Sequence, residues 1–167
     1  MSRHSLFLVL LALLIPSFSS AASPTIESAC KDFVDPNFCI TSLQVVNGSE
    51  SADLRGLAGI SLRLAVFNAT GTFAKLETFK KTTTDAGVLN SVAACEILYR
   101  NAATTLQFAA EFSASNHFDL AVVMYGSILD APVQCGEILR NGFDVDGRNF
   151  FYLMLMAREF TSKLKSS

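Results

Sequence analysis

Tryptophan is absent from this 167-residue chain, and histidine occurs only twice, as His4 and His117. His4 lies in the extreme N-terminal segment, so a hydrolase triad would have to rely on His117 alone. No serine lies in a G-x-S-x-G turn, which positions the nucleophile of many hydrolases. The tryptophan side chains that stack on sugars are missing as well. We therefore predict that the chain is not an enzyme and that it has no catalytic residues.

Basic clusters and metal-binding patterns are also missing. The formal net charge is −2 and no block of basic residues is present, so we expect no nucleic-acid partner. Asp144, Asp146 and Gly147 resemble part of a calcium loop, but its first and twelfth positions would be Gly142 and Leu153 instead of acids. The cysteines lack the close pairs that usually hold zinc. We expect no metal and no cofactor.

The first 22 residues have the composition of a secretory signal peptide. A short basic start precedes an apolar run at residues 6–15, and Pro16 and several small residues follow. We predict cleavage after Ala22, with Ala21 as the alternative. Because no second long apolar run follows, residues 23–167 are expected to form one secreted, extracellular domain of 145 residues without a membrane segment.

Four cysteines in a secreted chain indicate two disulfides, for which three pairings are possible. Cys30 and Cys39 flank the segment KDFVDPNF, whose Asp-Pro step is typical of a helix start after a turn. Such a turn can bring these two cysteines together. Proximity therefore favours Cys30 with Cys39 and leaves Cys95 to pair with Cys135.

The segment at residues 85–114 is predicted to be a long buried helix, because its apolar residues recur at spacings of three and four. The main stripe consists of Leu89, Val92, Tyr99, Ala102, Leu106 and Ala109. A second stripe on the same buried side consists of Leu98, Thr105, Phe108 and Phe112.

Three further long helices are predicted around this one. One opens at Ser51 or Asp53, one begins at Ser115 or Asn116 and should be kinked by Pro132, and the last spans residues 149–165 after a loop at 141–148. The first of them should bury Leu54, Leu57, Ile60, Leu64, Phe67, Leu76 and Phe79. With a helical hairpin at residues 23–50, this pattern predicts an all-α fold, in which residues 51–167 form an antiparallel up-down four-helix bundle.

Two sequons, at Asn47 and Asn68, could carry N-linked glycans in the secretory pathway. Asn47 lies in a predicted turn and is the better candidate. Asn68 lies on a predicted helix beside apolar residues, and half-burial would leave it unmodified.

In this order, the hairpin ACKDFVDPNFC, the segment ADLRGLAGISLRLA, the helix CEILYRNAATTL and the fourth cysteine resemble the plant invertase and pectin methylesterase inhibitor family. The resemblance covers essentially all of residues 23–167, and residues 52–65 are especially similar to the branch that contains the plane-tree pollen allergen. It implies the same hairpin, bundle and disulfide pairing. It also implies a secreted apoplastic inhibitor that binds a cell-wall carbohydrate-active enzyme in a 1:1 complex and blocks its substrate cleft.

The resemblance also indicates which residues could contact the target enzyme. Invertase inhibitors of the family carry a Pro-Lys-Phe motif that enters the enzyme's active site, and the corresponding residues here are Asn116, His117 and Phe118. Only the phenylalanine matches, so the resemblance favours pectin methylesterase as the target, with acid invertase as the alternative. A different class is also open, because a disulfide-stapled helical domain rich in alanine and phenylalanine could carry a lipid or act in defence.

Overall fold

The structure, a computed structural model, describes residues 24–139 and 144–165, so the predicted signal peptide at residues 1–22 lies outside it. This part of the chain is helical and contains no strand. Its α-helices are α1 (Pro24–Cys30), α2 (Pro36–Gln44), α3 (Leu54–Thr82), α4 (Ala86–Ala114), α5 (Phe118–Ser127), α6 (Ala131–Leu139) and α7 (Asp144–Lys163). A 3₁₀ helix at Ser49–Ser51 separates α2 from α3.

The helices from α3 to α7 form a four-membered ring. Helix α3 packs against α4 and α7, and α5 together with α6 packs against the other sides of α4 and α7. Short connections make neighbouring helices antiparallel, which confirms the predicted up-down bundle. We call the end formed by residues 54–59, 110–119 and 160–165 the turn end. The opposite end, formed by residues 75–96 and 144–150, is the far end.

Helices α1 and α2 form the predicted N-terminal hairpin. The Asp35 carboxylate caps α2 by accepting a hydrogen bond from the Phe38 N–H at 3.0 Å. A disulfide between Cys30 and Cys39 closes the hairpin. The hairpin is held on the bundle because the Phe38 ring packs against Tyr152 of α7, with 5.1 Å between ring centroids.

The second disulfide joins Cys95 of α4 to Cys135 of α6, with 5.0 Å between the two Cα atoms. Both sulfurs are buried in the bundle core. The cross-link ties a helix of nine residues, which has little stability on its own, to a helix of 29 residues.

Helix α4 buries the predicted main stripe except at Leu89, which is half-buried. It begins where the Asp85 carboxylate accepts a hydrogen bond from the Val88 N–H at 2.9 Å. Tyr99 and Leu106 are fully buried with the small residues of the stripe. The second stripe is wrong at Phe108, which is 50% exposed. At about 100° of rotation per residue, Phe108 lies on the opposite side of α4 from the buried stripe.

Helix α3 confirms most of its predicted core positions and corrects two. Its first turn is capped by Asp53, which accepts a hydrogen bond from the Gly56 N–H at 2.8 Å. Phe67 and Phe79 are 77% and 40% exposed, contrary to the prediction. Fully buried alanines at 65 and 69 face the core near Phe67, so the neighbouring helices approach closely there. By length and composition alone α3 could cross a membrane, but the bundle buries one side of it as core.

The third bundle element is interrupted where only a kink was predicted. Helix α5 ends at Ser127 and α6 starts at Ala131. Pro132 is the second residue of α6, a position where its missing N–H leaves no helical hydrogen bond unmade. The Ala131 N–H donates to the Ile128 carbonyl at 3.2 Å, which closes the intervening turn.

The last helix starts earlier than predicted. Residues 144–148 belong to α7 and are not a loop, whereas residues 140–143 lie outside the described ranges. Gly147 lies against Pro132 of α6, and Asp146 in the first turn bonds Lys75 of α3. Acidic side chains near a helix N-terminus are stabilising. These contacts favour a helix in a segment whose Gly and Asp content suggested a loop.

Candidate functional site

The turn between α4 and α5 contains the three residues that were predicted to contact a target. The His117 N–H donates to the Phe112 carbonyl at 2.8 Å, and the Asn116 N–H donates to the Ser113 carbonyl at 3.2 Å. This pair of hydrogen bonds is the Schellman arrangement that ends many helices. It requires a left-handed residue, and Asn116 has a φ of 60°. Asparagine tolerates this conformation better than most residues, so the turn is well defined.

Arg55, on the first turn of α3, holds two of the three predicted residues. Its Nη1 atom donates a hydrogen bond to the Asn116 side-chain oxygen at 2.8 Å. Its guanidinium carbon lies 4.9 Å from the centre of the Phe118 ring, within the range of a cation–π contact. Sequence reasoning did not identify Arg55, which is 61 residues away from Asn116. The available signal was the antiparallel topology, which places the start of α3 beside the end of α4.

His117 lies between Asn116 and Phe118 in the sequence. It is the N-cap residue of α5, its side chain makes no capping hydrogen bond, and it is exposed. The next carboxylate, Asp119, forms an ion pair with Lys165. The turn end therefore presents an imidazole and a guanidinium on its surface.

A cleft of about 290 Å³ opens beside Phe118. The lining residues at positions 58, 59, 110 and 114 have small side chains, and Arg55 and Arg63 lie at the edges of the cleft. Tyr125 is buried among its lining residues. Burial raises the pKa of Tyr125, although the neighbouring Ser113 and Thr161 hydroxyl groups act in the opposite direction. The phenol is thus neutral, and the cleft is apolar with cationic edges.

Two lysines at the far end, Lys75 and Lys80, are paired with carboxylates. The Lys75 ammonium donates to both carboxylate oxygens of Asp146 at 2.8 Å. Lys80 donates to Glu96 at 2.8 Å, and Glu96 is only 6% exposed. Burial, and secondly the charge of Asp146, raise the pKa of Tyr99. These contacts join α3 to α4 and α7, and they are structural in character.

The two predicted glycosylation sites differ in their surroundings. Asn47 is exposed in the connection between α2 and the 3₁₀ helix. Asn68 is half-buried on α3, and its side-chain oxygen is buried and makes no hydrogen bond with the residues that the structure describes. The Asn47 side chain is thus more accessible than that of Asn68. Glycosylation of either residue stays a prediction.

Within residues 24–139 and 144–165, no group of three or more His, Cys, Asp or Glu side chains is arranged to hold a metal ion. The turn end has three surface features: the exposed turn, the arginine that supports it and the adjoining cleft. All three are suited to contact with another molecule.

Comparisons with known proteins agree with this description. Residues 24–150 match the family model described as plant invertase/pectin methylesterase inhibitor. A curated relative from Arabidopsis thaliana, cell wall / vacuolar inhibitor of fructosidase 2, is 31% identical over 146 residues, which cover 84% of this chain and 81% of the relative.

Two solved structures share the fold. A mutant form of a pectin methylesterase inhibitor from Arabidopsis superimposes with a TM-score of 0.72 at 22% identity, covering 84% of this chain and 97% of that one. A pectin methylesterase inhibitor from Arabidopsis thaliana superimposes with a TM-score of 0.64 at 21% identity, covering 83% and 95% of the two chains. At these identities the likeness concerns the fold alone.

Proposed function

Since this chain belongs to the plant invertase/pectin methylesterase inhibitor family, we propose that it is a secreted inhibitor of an acid invertase, a fructosidase. The family consists of inhibitor proteins, and the chain is accordingly not an enzyme. The observation that carries the choice of target is the 31% identical relative, which is named for inhibition of fructosidase and aligns with 84% of this chain.

The structure is suited to inhibition by a protein–protein contact. Such inhibition needs a rigid, complementary surface, and a stable complex buries about 1,600 Å² in total. Two disulfides and a closed helical ring limit the motion of the bundle, which lowers the ordering cost of binding. We propose that the turn end, with Asn116, His117 and Phe118, enters the substrate cleft in a 1:1 complex.

Pectin methylesterase is the second candidate target. Asn116 and His117 occupy the positions at which the resemblance expects Pro and Lys in an invertase inhibitor. This departure favours the esterase, whereas the named relative favours the fructosidase. The two targets are therefore to be tested side by side.

Secretion is part of the same proposal. The apolar run at residues 6–15 and the small residues that follow support removal of residues 1–22 and export to the cell wall. A glycan on Asn47 would accompany export. Mass analysis of the exported protein before and after treatment with peptide-N-glycosidase tests both the cleavage position and the occupancy of Asn47 and Asn68.

The deciding experiment titrates the oxidised protein of residues 23–167 into an acid invertase and a pectin methylesterase, at pH 5 and pH 7. Stoichiometric loss of invertase activity supports the proposal, and loss of esterase activity alone would replace it with the second candidate. Retention of both activities across several isoforms would contradict inhibition and favour the lipid-carrier alternative. A fatty acid that co-purifies with the protein would support that alternative.

A further inference from the structure

Arg55 differs from five of the six lysines of this protein in the charge of its partners. Lys31, Lys75, Lys80, Lys163 and Lys165 each lie within ion-pair distance of a carboxylate. Arg55 makes no such pair within residues 24–139 and 144–165. Its two contacts, an amide oxygen and an aromatic ring, are both neutral. The positive charge of Arg55 is therefore held in place but not neutralised.

The position of the guanidinium is also restricted before any partner binds. The left-handed Asn116 fixes the amide oxygen through the turn, and the Phe118 ring supports one face of the guanidinium. A flexible arginine loses side-chain entropy on binding, and this support reduces that loss. Arg55 is exposed, and a planar guanidinium with further N–H groups can bond a carboxylate in a bidentate manner.

A glycoside hydrolase supplies a suitable partner group, because its reaction generally uses two carboxyl groups that flank the scissile bond. We propose that Arg55 is the cation that binds carboxylates in the enzyme's substrate cleft. This inference rests on the proposed inhibition of a fructosidase. Asn116 and Phe118 then act as positioning residues for Arg55. In this arrangement an arginine of α3 supplies the positive charge beside the turn between α4 and α5.

Three variants test the proposal against a matched control. Arg55→Gln removes the charge, and Arg55→Lys keeps the charge but loses the planar fork. Asn116→Asp keeps the turn and the arginine but gives Arg55 a carboxylate partner within the inhibitor. Arg158→Gln on α7 is the control, since it removes the same charge from an exposed residue that lies beside Phe33 and Val34 of the hairpin.

The readouts are the inhibition constant for acid invertase and its dependence on salt concentration. Arg55→Gln is expected to weaken inhibition by about 30-fold or more, as for loss of a charged group at an interface. Asn116→Asp should weaken it by about 10-fold or more, and Arg55→Lys should lie between wild type and Arg55→Gln. The salt dependence should flatten in Arg55→Gln and Asn116→Asp, whereas Arg158→Gln should match wild type. Circular dichroism and the melting temperature establish that each variant is folded.

Two results would overturn the inference while leaving the proposed function intact. One is inhibition by Arg55→Gln and Asn116→Asp within about twofold of a wild type that inhibits invertase. The other is weaker inhibition by Arg55→Gln with an unchanged salt dependence, together with wild-type inhibition by Asn116→Asp. That result would mean that Arg55 acts through packing. If wild type itself fails to inhibit any invertase, the proposed function fails first and the inference falls with it.

Discussion

At the far end of the bundle Lys75 and Lys80 each bond a carboxylate, whereas at the turn end Arg55 bonds an amide oxygen and lies over a ring. Both arrangements connect α3 to its neighbours. The first neutralises charge and contributes to folding, and the second leaves a charge available to a partner. With the proposed binding role of the turn end, this difference would place stability and recognition at opposite ends of one helix, so changes at the two ends should have separable effects.

The largest expected effect concerns the tyrosine of the far end at alkaline pH. Burial and the charge of Asp146 raise the pKa of Tyr99 above its ordinary value near 10. The folded protein therefore keeps a proton that the unfolded chain loses, so the stability present below pH 10 falls as the pH rises further. Tyr99→Phe should remove about 2 kcal/mol of the loss seen between pH 9 and 11.5.

Urea unfolding of wild type and Tyr99→Phe from pH 7 to 11.5 measures this effect. Tyr125→Phe at the turn end is the comparison, because the neighbouring Ser113 and Thr161 hydroxyl groups oppose the upward shift of the Tyr125 pKa. It should remove less of the alkaline loss than Tyr99→Phe. Parallel stability curves for wild type and Tyr99→Phe would contradict the assignment.

The next effect comes from removal of a far-end cation. Lys80→Met leaves the buried Glu96 carboxylate without its ammonium partner. Loss of one member of a buried pair is strongly destabilising, but Lys80 is 45% exposed and solvent screens the charge. We expect a loss of about 1.5 kcal/mol in the free energy of unfolding, measured by urea denaturation at pH 7.

Lys80→Met should leave inhibition of invertase unchanged, whereas Arg55→Gln should leave the free energy of unfolding nearly unchanged. The two variants together form a reciprocal test of the two ends. A change of inhibition in Lys80→Met with the fold intact would show that recognition extends to the far end.

The smallest effect lies between the two ends, at Gly71 in the middle of α3. A Cβ atom added there meets no other atom within 4 Å. Because glycine costs more backbone entropy than alanine in a helix, Gly71→Ala should stabilise the protein by about 0.8 kcal/mol. Thermal unfolding measures the gain, and unchanged inhibition is the expected second result. A lower melting temperature would indicate a contact that the monomer does not show.

The general fold was accessible from sequence because helical periodicity, caps and cysteine spacing agreed with one another. Asp35, Asp53 and Asp85 all cap helices through their side chains. Errors arose where an apolar side chain was assumed to be buried. Phe67 and Phe108 are exposed, and alanines occupy the core positions near them because the helices pack closely.

Other errors depended on contacts between distant residues. The helical start of α7 rests on the approach of Gly147 to Pro132 and on the bond of Asp146 to Lys75. The role of Arg55 likewise depends on a turn far along the chain. Local composition carries no information on such pairs until the topology is known, so the sequence could nominate the turn at residues 116–118 as a candidate site but not its contacts with Arg55.

The positions of the cysteines have a consequence for biosynthesis. The Cys30–Cys39 pair spans only 9 residues, whereas the partner of Cys95 lies 40 residues further on. At an elongation rate of roughly 5–20 residues per second, the chain needs about 2–8 s to extend from Cys95 to Cys135. On the proposed secretory route, Cys30 and Cys39 enter the oxidising compartment ahead of Cys95 and Cys135, so the order of synthesis itself disfavours the two wrong pairings.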